Sequence, residues 1–103
     1  EWSECARFGS LLGQKVVLTE FIAYDSLARM MRDESGQLSA RTAAIGTFAL
    51  CGFANFPSIA IQIGGLTEIA PDKRGEFVRL GLRAMIGGAF ASWMTASIAG
   101  LFL

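Results

Sequence analysis

Of the 103 residues, 52% are hydrophobic and 17% are charged, and this balance favours a membrane protein. Nine basic and nine acidic residues leave no formal net charge, so the chain lacks the basic surface that nucleic-acid binding requires. The chain has no histidine, and Cys5 and Cys51 stand too far apart for a metal-ligand motif or a disulfide framework. We therefore expect both cysteines to be packing residues, and we expect no enzyme, because no nucleophile–base pair is present.

The first unit, residues 1–33, contains short apolar runs interrupted by charged residues such as Lys15 and Glu20. None of these runs is long enough to span a bilayer. We expect two short helices, joined near Gly9–Gln14, that form a re-entrant hairpin, which enters the membrane and returns on the same side. Taken without the spans that follow, the same residues favour an amphipathic helix on a soluble domain.

The second unit, residues 40–67, is a long apolar span that follows a predicted polar loop at residues 32–37. Ser39 is the candidate N-cap of this span. No charged residue occurs from Thr42 to Thr67. About 18 or more such residues are typical of a membrane-spanning helix.

The motif Asn55–Ser58, Asn-Phe-Pro-Ser, interrupts this span near its centre. Pro57 has no N–H, its ring clashes with the Phe53 carbonyl in a continuous helix, and it moves Phe56 out of the helical conformation. Backbone freed at membrane depth is tolerated only where it is buried in protein or lines a wet cavity. Broken helices of this kind are typical of transporter binding sites, and a proline kink in a packed helix is the alternative.

The third unit, residues 71–103, begins with Pro71 at a helix start, after Gly64–Gly65 has ended or bent the second half of the broken span. The chain is charge-free from Ala84 to Leu103, which predicts a second membrane span. A small excess of basic residues makes the preceding loop the better cytoplasmic candidate. Small residues recur every fourth position along this span and predict the close approach of another helix: Ala84, Gly88, Ser92, Ala96 and Gly100.

The sequence begins without methionine, and it stops within an apolar segment. A native terminus usually leaves the bilayer before it stops. We therefore expect this chain to be part of a larger membrane protein.

Two segments carry a family resemblance. The segment Leu12–Tyr24 resembles the "GxKxxxNEFVAY" segment of concentrative nucleoside transporters, and Thr47–Ile59 resembles their "ALCGFANFGSI" segment. Ile63–Leu66, then Ala70–Pro71 with its basic pair, and finally the helix from Arg83 to Leu101 match the stretches that follow in this family. The resemblance covers essentially the whole chain, in the same order and spacing.

This resemblance implies an all-α membrane protein with a re-entrant helical hairpin, one discontinuous and one continuous transmembrane helix. The chain would be the second half of an inverted-repeat transporter, with the hairpin tip near Leu18–Glu20. The family fold further implies that Glu20, Asn55 and Ser58 hold the ribose of a nucleoside, with Phe53 close to the sugar and base. The chemistry fits, because a carboxylate accepts hydrogen bonds from two vicinal hydroxyls and an amide or hydroxyl can donate or accept.

Two positions depart from the family pattern. Thr19 stands where an asparagine is usual; it keeps a hydroxyl and is a candidate contact without an assigned role. Pro57 stands where glycine or serine is usual, and it should stiffen the break. The residues also leave local alternatives open: Glu20 as an interfacial carboxylate paired with Lys15 or Arg29, and Ser58 as an N-cap.

The resemblance therefore implies ion-coupled nucleoside uptake, driven by sodium or protons, with this chain carrying the ribose-binding half of the site. The alternative is a small structural or channel-forming helical membrane protein with a kinked helix. The resemblance places the base-recognising residues and the main ion ligands outside this chain. It also implies a homotrimer in a bacterial inner membrane, with nucleoside and lipid as partners and no nucleic acid.

Overall fold

The computed structural model describes residues 2–33 and 38–103, which form helices and no strand; part of the predicted polar loop, residues 34–37, lies outside this range. A 3-10 turn at Trp2–Glu4 precedes the first two helices, which the structure places as α1 at Cys5–Val17 and α2 at Glu20–Arg32. The broken span and the final span follow as α3 at Ala40–Ala49, α4 at Phe56–Ile69, a 3-10 turn at Pro71–Lys73 and α5 at Arg74–Phe102.

Helices α1 and α2 form a hairpin that turns at two residues, Leu18 and Thr19. The Thr19 hydroxyl oxygen accepts from the backbone N–H of Ile22 at 3.4 Å and so caps α2. The predicted turn near Gly9–Gln14 is wrong, because these residues lie within a continuous α1, and the capping residue Thr19 is ten positions after Gly9, at the observed turn. Each hairpin helix has 13 residues and is about 20 Å long.

The hairpin packs on α3 through a small apolar core, which contains Leu11, Ala23, Leu27, Ala43 and Leu50. Gly46 permits the close packing, since a Cβ there would lie 3.4 Å from the Phe8 ring. The Tyr24 hydroxyl adds a polar contact by donating to the Thr47 carbonyl at 2.8 Å. Hydrophobic burial and these contacts together fix the hairpin against the first half of the broken span.

The N-terminus of α3 is capped twice. Ser39 caps the helix as predicted, since its hydroxyl accepts from the Thr42 N–H at 3.2 Å. The Glu4 carboxylate accepts from the Ser39 backbone N–H and from the Thr42 hydroxyl. These hydrogen bonds to the charged form, that from Thr42 foremost, lower the pKa of Glu4 below its ordinary value of 4.5. The start of the hairpin is thereby tied to the start of α3.

The apolar span is interrupted between Ala49 and Phe56, and the interruption lies before the proline. Asn55 has an extended backbone and caps α4, and Pro57 occupies the first turn of that helix. First-turn N–H groups have no partner within the helix, so proline is tolerated there. The predictions that Phe56 is non-helical and that Ser58 is the cap are therefore wrong, and Pro57 lies just after the break that its ring was predicted to cause.

Helix α4 continues through Gly64–Gly65 to Ile69, so the prediction that the helix ends at the glycine pair is wrong. Glycine weakens a helix but does not have to end it, since its backbone can still adopt helical dihedral angles. The helix ends at Ala70, where Pro71 follows and starts the next turn as predicted.

Helix α5 runs along both halves of the broken span. With the preceding turn it forms a 32-residue helix, Pro71–Phe102, which is the one helix among the described residues that is long and apolar enough to cross a membrane. A Cβ at Gly100 would lie 3.2 Å from Ile45 of α3, and one at Gly81 would lie 2.9 Å from Ile59 of α4. The prediction of a close helix approach at the small residues is confirmed at Gly100, although Ala84 and Gly88 are exposed and Gly81 lies outside the predicted set.

Candidate functional site

The hairpin turn faces the interruption between α3 and α4, and a buried hydrogen bond joins them there. Glu20 is the first residue of α2 and Asn55 is the N-cap of α4. Their side chains are 6% and 1% exposed, and the Asn55 Nδ2 donates to the Glu20 Oε2. Two of the predicted site residues, 35 positions apart in the chain, are thus in direct contact.

The Asn55 amide is held from both sides. Its Oδ1 accepts from the Ser58 backbone N–H at 2.8 Å, which leaves Nδ2 to point at Glu20. A primary amide has two N–H donors, so one remains after the bond to Glu20. The cap that starts α4 therefore also orients a donor beside the carboxylate.

The Glu20 carboxylate has acceptor capacity left. Within residues 2–33 and 38–103, its Oε2 accepts from Asn55 and its Oε1 takes part in no hydrogen bond. Its position in the first turn of α2 suits a negative charge, since the helix dipole is positive at that end. Glu20 can thus remain buried as an acceptor for a further donor.

Ser58 and Phe53 line a groove of about 410 Å³ between α4 and α5. Phe53 is 67% exposed, whereas Ser58 is half-buried. Glu20 and Asn55 do not line this groove. The structure therefore places the four expected ribose-site residues as two neighbouring pairs, which are connected through the Asn55–Ser58 cap.

The remaining candidate, Thr19, has a local task. Its hydroxyl oxygen accepts from Ile22, and it makes no contact with Asn55 or Ser58 among the hydrogen bonds of the described residues. The pairing of Glu20 with Arg29 is wrong, since Arg29 forms an exposed salt bridge of 2.9 Å with Asp25.

Lys15 and Ser92, which were not predicted as site residues, donate hydrogen bonds to backbone carbonyls at the break. The fully buried Lys15 donates from Nζ to the Ala49 carbonyl at 3.4 Å, and the Ser92 hydroxyl donates to the Cys51 carbonyl at 2.7 Å. The Ala49 carbonyl lies in the last turn of α3 and has no partner within that helix, and the Cys51 carbonyl lies in the break itself, so these two donors replace the missing helical bonds. The sequence signals that could have indicated these roles are the charge of Lys15 between apolar runs and the hydroxyl of Ser92 among the small residues of the final span.

Gly52 is the point at which the chain changes direction between the half-helices. Its φ is 111°, the one positive φ among the described residues, and a Cβ there would lie 2.9 Å from the Ser92 hydroxyl. Both the conformation and the lack of space favour glycine. The neighbouring Cys51 is exposed, as is Cys5, so the expectation that both are packing residues is wrong.

No group of three or more histidine, cysteine, aspartate and glutamate side chains lies close enough to hold a metal ion in the part of the chain that the structure describes. The polar groups at the break are instead those that hydrogen-bond to hydroxyl groups: a carboxylate, an amide and a serine hydroxyl.

Comparison with known proteins connects this arrangement to membrane transporters. The family model described as "Na+ dependent nucleoside transporter C-terminus" matches residues 1–100. The transporter YutK of Bacillus subtilis is 47% identical over 102 residues, which are 99% of this chain and 24% of YutK. The nucleoside permease NupC of Helicobacter pylori is 45% identical over 103 residues, 99% of this chain and 25% of NupC.

The fold is also similar to a solved transporter structure. CNTnw in an inward-facing substrate-bound state superposes with a TM-score of 0.93 and 50% identity, over 99% of this chain and 25% of that one. The chain thus spans about a quarter of the length of the relatives it matches.

Proposed function

Because this chain belongs to the concentrative nucleoside transporter family, whose sodium-dependent C-terminal model it matches over residues 1–100, we propose that it is the C-terminal part of an ion-coupled nucleoside importer. The single observation that carries this proposal is the buried pair of Glu20 and Asn55, placed where the hairpin turn meets the interrupted helix. Buried carboxylates at membrane depth are costly and mark substrate pathways.

The ribose hydroxyls are the groups that this site is proposed to bind. The Glu20 Oε1 supplies an acceptor, the second N–H of Asn55 supplies a donor, and the Ser58 hydroxyl supplies either. Vicinal hydroxyls of a ribose present two donors close together, which suits a carboxylate beside an amide. Phe53, exposed in the gap, is proposed to cover the sugar and the base with its ring.

The coupling ion is proposed to be sodium. The matched family model is described as sodium-dependent, which favours sodium over the proton. The main ion ligands are proposed to lie outside this chain, in the opposite half of the transporter.

The proposed topology follows from helix length. At about 20 Å each, α1 and α2 are shorter than the hydrocarbon layer of about 30 Å, which supports a re-entrant hairpin. We propose that the complete protein contains a second, inverted unit of this kind, assembles as a homotrimer and resides in a bacterial inner membrane surrounded by lipid.

The test is uptake of radiolabelled nucleosides by the full-length protein in proteoliposomes, with sodium inside and outside controlled. We expect saturable uptake that falls to background when sodium is replaced by choline. Uptake driven by a proton gradient alone would show that the coupling ion is the proton and not sodium. A non-saturable flux would favour the channel alternative. The isolated 103-residue chain is the matched control and should not transport, since the opposing half of the site is absent.

A further inference from the structure

Lys15 is the most deeply buried charged residue that the ribose site does not use. It lies in the last turn of α1 and has no exposed surface. Its Nζ contacts the Ala49 carbonyl, at the end of α3, with a long hydrogen bond of 3.4 Å. An ammonium group has three donors, and one neutral carbonyl offsets little of the cost of burying its charge.

The charge of Lys15 has a counterpart on the other side of the hairpin turn. Glu20 is also buried, five positions further along the chain, and the two-residue turn Leu18–Thr19 separates it from the end of α1 where Lys15 lies. Its hydrogen bond comes from Asn55, which is neutral, so that bond orients the carboxylate without balancing its charge.

The helices that pack around this turn supply no other cation near it. On α3 the one cation is Arg41, in the first turn at the opposite end, where its Nη2 donates to the Gly100 carbonyl. On α5 no charged residue follows Arg83, and the residue that reaches the break is Ser92. Lys15 is thus the cation placed to offset the charge of Glu20.

We propose that Lys15 is a positioning residue for the ribose site: anchored on the Ala49 carbonyl, it balances the charge of Glu20 and holds the hairpin turn against the end of α3. This inference rests on the proposed function, because Glu20 is taken to accept from ribose. Lys15 does not touch the substrate and acts through Glu20. Its loss should therefore weaken binding only while the Glu20 carboxylate is present.

The first experiment is a double-mutant cycle in the full-length protein with Lys15→Met, Glu20→Gln and both changes. We expect Lys15→Met alone to raise KM for a ribonucleoside about tenfold, and to change KM less than about twofold when Glu20 is already glutamine. Additive effects of the two substitutions on KM, or no effect of Lys15→Met, would overturn the proposal. Lys73→Met, which removes an exposed lysine, is the matched control.

The second experiment measures thermal stability and yield in detergent, so that the proposal stays testable if Lys15→Met folds poorly. Removing one member of a buried charge pair leaves the other uncompensated, whereas removing both does not. We expect the double variant to melt at a higher temperature, or to accumulate better, than Lys15→Met alone. A double variant no better than the single one would overturn the charge balance. If the parent takes up no nucleoside, the proposed function fails, and this comparison still tests the Lys15–Glu20 pair.

Discussion

Asn55 donates a hydrogen bond to Glu20 across the gap between the hairpin turn and the second half of the broken span. The same amide caps α4 through the Ser58 N–H, at 2.8 Å. One side chain therefore begins a helix and orients the carboxylate proposed to bind ribose. Damage to the cap and damage to the site can be separated experimentally, because they depend on different atoms of Asn55.

Replacing Glu20 should weaken binding selectively. Glu20→Gln replaces a charge-assisted acceptor by an amide, which should cost about 1.5–3 kcal/mol, or roughly a ten- to hundredfold loss in affinity. The loss should shrink for a deoxynucleoside that lacks the hydroxyl concerned. Isothermal titration with ribo- and deoxynucleosides measures both effects. An equal loss for every nucleoside would make Glu20 structural.

Two substitutions at Asn55 should separate orientation from capping. Asn55→Ser keeps an N-cap oxygen but cannot reach Glu20, so it should lower nucleoside affinity while largely preserving stability. Asn55→Ala should lower affinity similarly and also cost about 0.5–2 kcal/mol of stability through the lost cap. Binding and thermal unfolding are measured on the same preparations. Full affinity in the serine variant would show that the contact with Glu20 is dispensable.

Gly52 should tolerate no side chain. Gly52→Ala forces a Cβ into a positive-φ position, 2.9 Å from the Ser92 hydroxyl, and should destabilise the protein by about 1–3 kcal/mol. Gly64→Ala is the control, since it lies within α4 with nothing within 4 Å of its Cβ, and it should be neutral or stabilising by up to about 1 kcal/mol. The measurement is the melting temperature of each variant. Equal melting temperatures would contradict the requirement for glycine at position 52.

Pro57 should affect stability more than transport. Since it lies in the first turn of α4 and the break precedes it, Pro57→Ala should leave KM for several nucleosides unchanged. It should lower stability by about 0.4–1 kcal/mol, because alanine gives the unfolded chain more conformations. Uptake kinetics with purine and pyrimidine nucleosides check this. A change in specificity would mean that the proline itself shapes the site.

The Glu4 cap should make the stability of the folded protein depend on pH in the acid range. Because hydrogen bonds from Thr42 and Ser39 lower the pKa of folded Glu4, its contribution is present above the ordinary value of 4.5 and is lost as pH falls through the lowered pKa. Glu4→Gln should therefore melt below the parent at neutral pH, with the difference narrowing in acid. The exposed Glu68→Gln is the control. A difference that stays constant with pH would contradict this linkage.

The sequence by itself predicted the Ser39 cap, the close approach of a helix at the small residues of α5 and the family. These features depend on composition, local hydrogen bonding and periodicity, which can be read along the chain. Resemblance singled out Glu20 and Asn55, but it did not reveal that they bond to each other.

Tertiary structure decided where the helix is broken and which side chains hydrogen-bond to the backbone carbonyls at the break. A proline is equally compatible with a kink and with a first helical turn, and only the extended backbone at Asn55 places Pro57 in the turn. Lys15, Ser92 and Gly52 acquire their roles from partners 34 to 41 positions away, such as the Ala49 and Cys51 carbonyls. Such contacts depend on how helices pack, because a backbone carbonyl carries no signal in the sequence that says which side chain will reach it.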